Sequence, residues 1–208
     1  MLGAPDANPG LLEQAEGSLL GVQRLAALLR AQRDLAALGR EIGADVSAIE
    51  AAITTLEAGA ETLWNPDLAC YDVRNVHSGL WAGCVSNASF LNWYAGIDHE
   101  GMEAQLERIT RICRFPVPSH DPSSVRFDAK RYWRGPTWAI MNSIIAMGLR
   151  ERGLTDQAEA LRRSTADLIT QYGFAEYFDP ITGDAAGGGT FTWTAAVWLA
   201  WASPSNDA

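Results

Sequence analysis

Apolar residues return at three- and four-residue steps along most of this chain, and the interruptions in that rhythm fall on Gly and Pro. Between Leu19 and Ile42, the residues Leu20, Leu25, Leu28, Leu29, Leu35 and Leu38 predict one amphipathic helix. Gly43 stops it, and Asp45 or Ser47 is placed to cap a second helix over about 46–64. Asn65-Pro66-Asp67 reads as a turn opening a long polar and aromatic loop to residue 88, which carries Tyr71, Asp72, Arg74, His77 and Trp81. Helices near 89–97 and 100–114 follow, the latter with Met102, Leu106, Ile109 and Ile112 on one face. Pro116, Pro118, Pro122 and Pro136 stiffen a second long loop over 115–136. Two more helices are predicted at about 136–152 and 155–172, divided by Gly153 with Thr155 as cap. A third loop spans 173–191 and holds Gly187-Gly188-Gly189. The last apolar helix, 192–202, carries Trp193, Trp198 and Trp201.

No alternating run competes as a strand, so the class is all-α. The order helix, helix, long loop comes round about three times. Plain bundles join their helices with short connections, so loops of this length argue instead for helical hairpins whose long loops gather at one end. Residues 1–18, rich in Gly and Pro at their start, are expected to be a loose segment preceding one domain over 19–208.

Composition narrows the partners. A chain of 208 residues, 48% hydrophobic and 20% charged, suits one folded domain. A net charge of −9 argues against nucleic acid and against an anionic membrane surface. Cys70, Cys84 and Cys113 are odd in number and have no CxxC spacing, which implies a reducing compartment. His77, His99 and His120 build no metal-ligand spacing, so no metal or other cofactor is expected. With neither a signal-like start nor a membrane-length apolar run, the expected location is cytoplasmic, provided Met1 is the true start.

The chemistry concentrates in two segments. Tyr132-Trp133-Arg134-Gly135-Pro136-Thr137-Trp138 sets three aromatic rings and a guanidinium about a Gly-Pro turn. Gly173-Phe174-Ala175-Glu176-Tyr177-Phe178-Asp179-Pro180 sets a carboxylate among apolar and aromatic neighbours. Aromatic faces stack on the C–H faces of sugars, Arg donates to hydroxyl or carboxylate oxygens, and an acid among rings can be tuned for proton transfer. Bland readings stand beside these. Trp133 and Trp138 can be core, as Trp198 and Trp201 are expected to be, and Arg134 can serve only to neutralise a nearby Asp. Asp72 reads as a loop-shaping carboxylate, Gly187–Gly189 as a flexible or close-packed turn, and His77 and His120 as loop hydrogen-bond partners.

These segments, with Arg131 and with Phe191-Thr192-Trp193-Thr194-Ala195-Ala196, resemble glycoside hydrolase family 63, in the branch of the bacterial mannosylglycerate and glucosylglycerate hydrolases. The likeness runs from about Leu19 to the C-terminus and more loosely includes the loop from Leu63 to Asp72. It implies an (α/α)6 toroid and cleavage of an α-glycosidic bond with inversion. Carried over by position, Glu176 matches the general base; Tyr132, Trp133 and Trp138 match residues lining the sugar subsites. Arg134 stands where it can hold the loop or reach substrate, Trp193 can wall the pocket, and Asp128 and Arg131 are less defined.

Inverting hydrolysis needs a second carboxyl group roughly 6.5–9.5 Å away. The family supplies that acid from a motif like E-S-G-x-D-N-S-P, which this sequence lacks; Asp72, Asp128 and Asp179 have no spacing that suits them to replace it. About seven helices are predicted where a full toroid has twelve. The expected protein is therefore the C-terminal part of a glycosidase acting on a small α-glucoside or α-mannoside, partnered by the missing N-terminal half. The alternatives are a catalytically incomplete sugar-binding or remnant domain, and a trehalase-like or debranching-glucosidase-like toroid.

Overall fold

The computed structural model describes residues 19–204, so the expectation of a loose segment over 1–18 lies outside the described residues. Seven α-helices are present among them: α1 (Val22–Glu41), α2 (Ser47–Glu61), α3 (Asn87–Tyr94), α4 (Met102–Ile112), α5 (Ala139–Glu151), α6 (Thr155–Tyr172) and α7 (Thr192–Val197). The last runs on into a wide π-turn, Trp198–Ala202, closed by the Ser203 amide donating to the Trp198 carbonyl at 2.9 Å. No described helix is long and apolar enough to cross a membrane.

Helices α1, α3, α5 and α7 pack in that order as an inner row, with α2 behind α1 and α6 behind α5; α4 buries Met102, Leu106 and Ile109 in the shared core. This is part of an (α/α)6 toroid. The three long connections, 62–86, 113–138 and 173–191, each enter the N-terminus of an inner helix, whereas the returns 42–46, 95–101 and 152–154 are short. All long loops therefore lie at one end, as the hairpin pattern predicts.

Local chemistry explains most boundaries. Gly43 adopts φ +69°, and the Ala44 amide reaches back to the Gly39 carbonyl at 2.9 Å, so α1 ends on a left-handed glycine. The Asp45 carboxylate accepts from the Ser47 amide at 2.9 Å just ahead of α2, but Val46 holds the cap position, so neither Asp45 nor Ser47 is the expected cap. Two further expectations fail. The first helix starts at Val22 rather than Leu19, because Leu19–Leu20 (β1) pairs antiparallel with Arg74–Asn75 (β4). Thr155 is the first residue of α6 rather than its cap; Leu154 holds the cap position and no side chain bonds there.

Two further two-residue ladders brace the loops. Trp64–Asn65 (β2) pairs with Cys70–Tyr71 (β3), and Tyr177–Phe178 (β5) with Ala185–Ala186 (β6). Such short ladders leave no alternation to read.

The inner row is tight where α3 meets α5. A Cβ at Gly148 would lie 2.3 Å from the Tyr94 amide nitrogen and 2.6 Å from the Trp93 carbonyl carbon, so only glycine permits this crossing. Gly148→Ala is expected to cost about 3 kcal/mol, lowering the thermal midpoint by roughly 6–12 °C. An unchanged midpoint would mean that the two helices stand further apart.

Both ends of the inner row are left uncovered by the described residues. On α1 and its C-cap, Leu28, Ala31, Leu35, Leu38 and Ile42 are exposed at steps of three and four residues, a second apolar seam beside the one built on Val22, Ala26 and Leu29. At the other end, Ile140, Met147, Trp193, Ala196, Ala200 and Trp201 line an open apolar groove. Trp198 and Trp201 are half-buried beside a small cluster of Ala139, Ile169, Val197 and Ala202, only partly meeting the expectation that they are core.

Candidate active site

The second long loop is folded around Asn142 and Ser119. Asn142, buried at the start of α5, donates to the Pro116 carbonyl at 2.7 Å and accepts from the Val117 amide at 3.0 Å. Ser119 receives the Gly135 amide at 3.1 Å, while its own amide donates to the Pro136 carbonyl at 2.9 Å. Between them the chain forms a tight excursion: the Asp128 amide donates to the Arg134 carbonyl at 2.8 Å and the Arg134 amide to the Arg131 carbonyl at 2.7 Å. A Cβ at Gly135 would fall 2.2 Å from the Asp128 carbonyl oxygen, so glycine is required at that closure. Tyr132 stands at the tip with φ +39°, a left-handed conformation uncommon outside glycine.

Four rings meet there. Trp133 stacks on Trp138 at 4.3 Å between centroids with planes 8° apart. Tyr132 stands edge-on to Trp138 at 4.9 Å and to Tyr177 at 5.6 Å. Trp138 is 2% exposed and Trp133 45%, so the buried ring supports the open one.

Glu176 comes from the third loop, between two fixed points. Ahead of it, Ala175 is fully buried and its carbonyl accepts from the Thr194 hydroxyl at 2.6 Å. After it, Phe178 exchanges two backbone bonds with Thr137, at 2.8 and 3.0 Å. The Lys130 ammonium meets Asp184 at 2.9 Å, a second tie between the same loops. Glu176 itself is half-buried, and Oε1 accepts from the Tyr132 hydroxyl at 3.1 Å. That hydrogen bond to the carboxylate, with a smaller contribution from burial, raises the phenol above its ordinary ionisation range. Gly187, at φ +75°, approaches from the turn after β6: a Cβ there would lie 2.6 Å from Glu176 Oε2. The glycine run is thus close-packed at this position.

The structure therefore gathers Tyr132, Trp133, Trp138 and Glu176 into one cluster. Arg134 lies beside it, with Nε and Nη2 donating to the Arg126 carbonyl at 3.2 and 2.9 Å, the geometry of a loop-holding guanidinium. Trp193 stands apart in the open groove of α5 and α7, 59% exposed. Asp72 is buried and fully engaged, accepting from Asn65, the Val73 amide and the Gly83 amide. Asp179 accepts the Ile181 and Thr182 amides, and Asp128 the Lys130 amide. Each of these three carboxylates thus bonds to groups of its own loop.

The Cys84 sulfur lies 3.1 Å from His120 Nδ1, and His120 Nε2 lies 3.0 Å from the Ser124 hydroxyl. Burial pushes the thiol up to about 11 and the imidazole below its ordinary value, so near neutrality this is a thiol beside a neutral ring. The pair bonds one loop to another, as expected of His120. A depressed histidine contributes stability that is fully present above the unfolded value of about 6.5 and is lost as pH falls through the folded value. Thermal midpoints between about pH 7.5 and 5 should therefore fall less steeply for His120→Gln than for the unaltered chain; equal slopes would count against a buried neutral imidazole.

Sequence reading missed the hydroxyl of Tyr132 as a partner of Glu176, along with Ser119 and Asn142. A Tyr in an aromatic motif signals a ring, and nothing in the residue order announces the left-handed turn that aims its oxygen.

Comparisons with known proteins agree with the fold. Residues 14–194 match the family described as the mannosylglycerate hydrolase MGH1-like glycoside hydrolase domain. A mannosylglycerate hydrolase of Thermus thermophilus is 36% identical over 196 residues, which is 92% of this chain and 47% of that protein. The crystal structure of a family 63 mannosylglycerate hydrolase from the same species, in complex with glucose, superposes with a TM-score of 0.83 at 36% identity, over 87% of this chain and 47% of that one. Neutral trehalase Nth1 of Saccharomyces cerevisiae shares the fold, with a TM-score of 0.72 at 14% identity over 94% of this chain and 39% of its own. The chain thus spans about half the length of the mannosylglycerate hydrolases it matches.

Proposed function

Because the chain belongs to the mannosylglycerate hydrolase MGH1-like glycoside hydrolase family, we propose that it is the base-carrying half of an inverting α-glycosidase. The substrate is a small α-mannoside or α-glucoside of the mannosylglycerate or glucosylglycerate type. The observation that carries this reading is Glu176, held on anchored backbone beside an open indole face. Glu176 removes a proton from water as that water attacks the anomeric carbon, and the face of Trp133, backed by Trp138, receives the C–H side of the sugar. Tyr132 and Tyr177 close the edge of this platform. The acid that protonates the leaving oxygen comes from the N-terminal half of the toroid, which seats against the exposed seam of α1 and the groove of α5 and α7. Residues 19–208 form the C-terminal part of that one catalytic domain.

The test is hydrolysis of mannosylglycerate, glucosylglycerate and trehalose by this chain alone and after co-expression with the N-terminal half of the family's domain. Turnover by the combination with inverted product supports the reading. Sugar binding without turnover in either form would favour the incomplete, sugar-binding alternative, and preference for trehalose would move the substrate class.

A further inference from the structure

We propose that Tyr132 is the positioning residue of Glu176, its hydroxyl fixing Oε1 so that Oε2 is the oxygen turned to the attacking water. The inference rests on the reading of Glu176 as base and deepens it. Its first support is the 3.1 Å hydrogen bond from the phenol to Oε1. The second is how little freedom that phenol has. The carbonyl of Tyr132 accepts from Trp138 Nε1 at 3.2 Å and from the Ser119 hydroxyl at 3.4 Å. Three rings, Trp133, Trp138 and Tyr177, stand nearly perpendicular to its own, at interplanar angles of 85°, 88° and 87°. The φ of +39° is maintained by these contacts, and a non-glycine residue held there against its intrinsic preference is a common mark of a working site.

The third support is the opposite side of the carboxylate. Gly187 faces Oε2, and the Cβ of any other residue would sit 2.6 Å from that oxygen. One oxygen is thus occupied by a donor, while the other lies against Gly187, where any side chain would collide with it. In the reaction the water O–H bond breaks with its proton passing to Oε2, and the water oxygen bonds to the anomeric carbon. The glycosidic C–O bond breaks as the leaving oxygen takes a proton from the carboxylic acid of the N-terminal half. Tyr132 gives up no proton; its O–H stays bonded to Oε1 throughout. The raised ionisation range of the phenol fits a hydroxyl committed to a neighbouring anion.

The test pairs spectroscopy with kinetics. Phenolate absorbance of the unaltered chain minus that of Tyr132→Phe isolates the titration of Tyr132. It should lie above the ordinary value of about 10 and move down in Glu176→Gln. An identical titration in both backgrounds would overturn the contact. In the co-expressed two-half enzyme, Tyr132→Phe keeps the ring and should lower kcat about tenfold to a hundredfold, the size expected for a lost bond to a charged group, with KM changed less than about twofold. A raised KM at unchanged kcat would overturn the inference and assign Tyr132 to sugar binding through its ring. If no form hydrolyses any substrate, the reading of Glu176 as base fails and this inference fails with it. The titration would then still report whether the contact exists.

Discussion

Glu176→Gln is expected to remove about 10²–10⁴-fold of the hydrolytic rate, the contribution of a positioned general base, while leaving the fold intact. The substitution keeps the shape of the side chain and an oxygen that can accept from the Tyr132 hydroxyl. Neither anchor of the loop depends on the carboxylate, because the Ala175 carbonyl is held by Thr194 and Phe178 by the Thr137 backbone. The thermal midpoint should therefore be unchanged, and sugar should still bind the face of Trp133. The loss should appear in kcat rather than in KM, since the base acts on water and not on the bound ring. Rates measured by release of free hexose from mannosylglycerate and glucosylglycerate decide it. A variant retaining activity within about tenfold of the unaltered enzyme would place the base elsewhere.

The second large effect concerns assembly. By itself the chain is expected to show no turnover above background, because Asp72, Asp128 and Asp179 each bond within their own loops and the acid is proposed to come from the N-terminal half. Supplying the N-terminal half should raise activity by at least the roughly 10²–10⁴-fold that a general acid contributes. The seam on α1 makes the dependence testable. Leu35 is 49% exposed and Leu38 56%, on one face of a regular helix, and Ile42 just past its end is 75% exposed. Leu35→Glu with Leu38→Glu places two charges in that seam while leaving Leu29 and the existing core untouched. The double variant should fail to co-purify with the N-terminal half and fail to gain activity, whereas Glu176→Gln should co-purify normally. Full hydrolysis by the chain alone, sensitive to Glu176→Gln, would mean that an acid lies within these 208 residues and would sink the divided-pair reading.

The helices are legible because Leu and Ala recur with helical period and because Gly43, Gly153 and Gly173 end their helices or turns at positive φ, where side chains are disfavoured. The two-residue strands are not, since pairing between Trp64–Asn65 and Cys70–Tyr71 depends on a turn bringing them together and not on either segment's own pattern. Leu20 shows the cost: it extends the period of α1 on paper, yet its backbone pairs with Arg74. At the site, the motif points to residues that do cluster, without sorting their tasks. Trp133 and Trp138 belong to one motif, but one is a half-exposed face and the other its buried support. That difference is set by where α5 begins. Arg134 is legible as a choice between two uses, and the Arg126 carbonyl is the partner the structure supplies.

The paired backbone bonds between Thr137 and Phe178 have a consequence for how such a site can diversify. They join the aromatic loop to the base loop through main-chain atoms, which every amino acid other than proline supplies. The spacing between the rings and the carboxylate is therefore inherited with the chain path and survives replacement of the side chains around it. A designer, or a lineage under selection, can exchange Trp133 for another surface to suit a different sugar without retuning the position of Glu176.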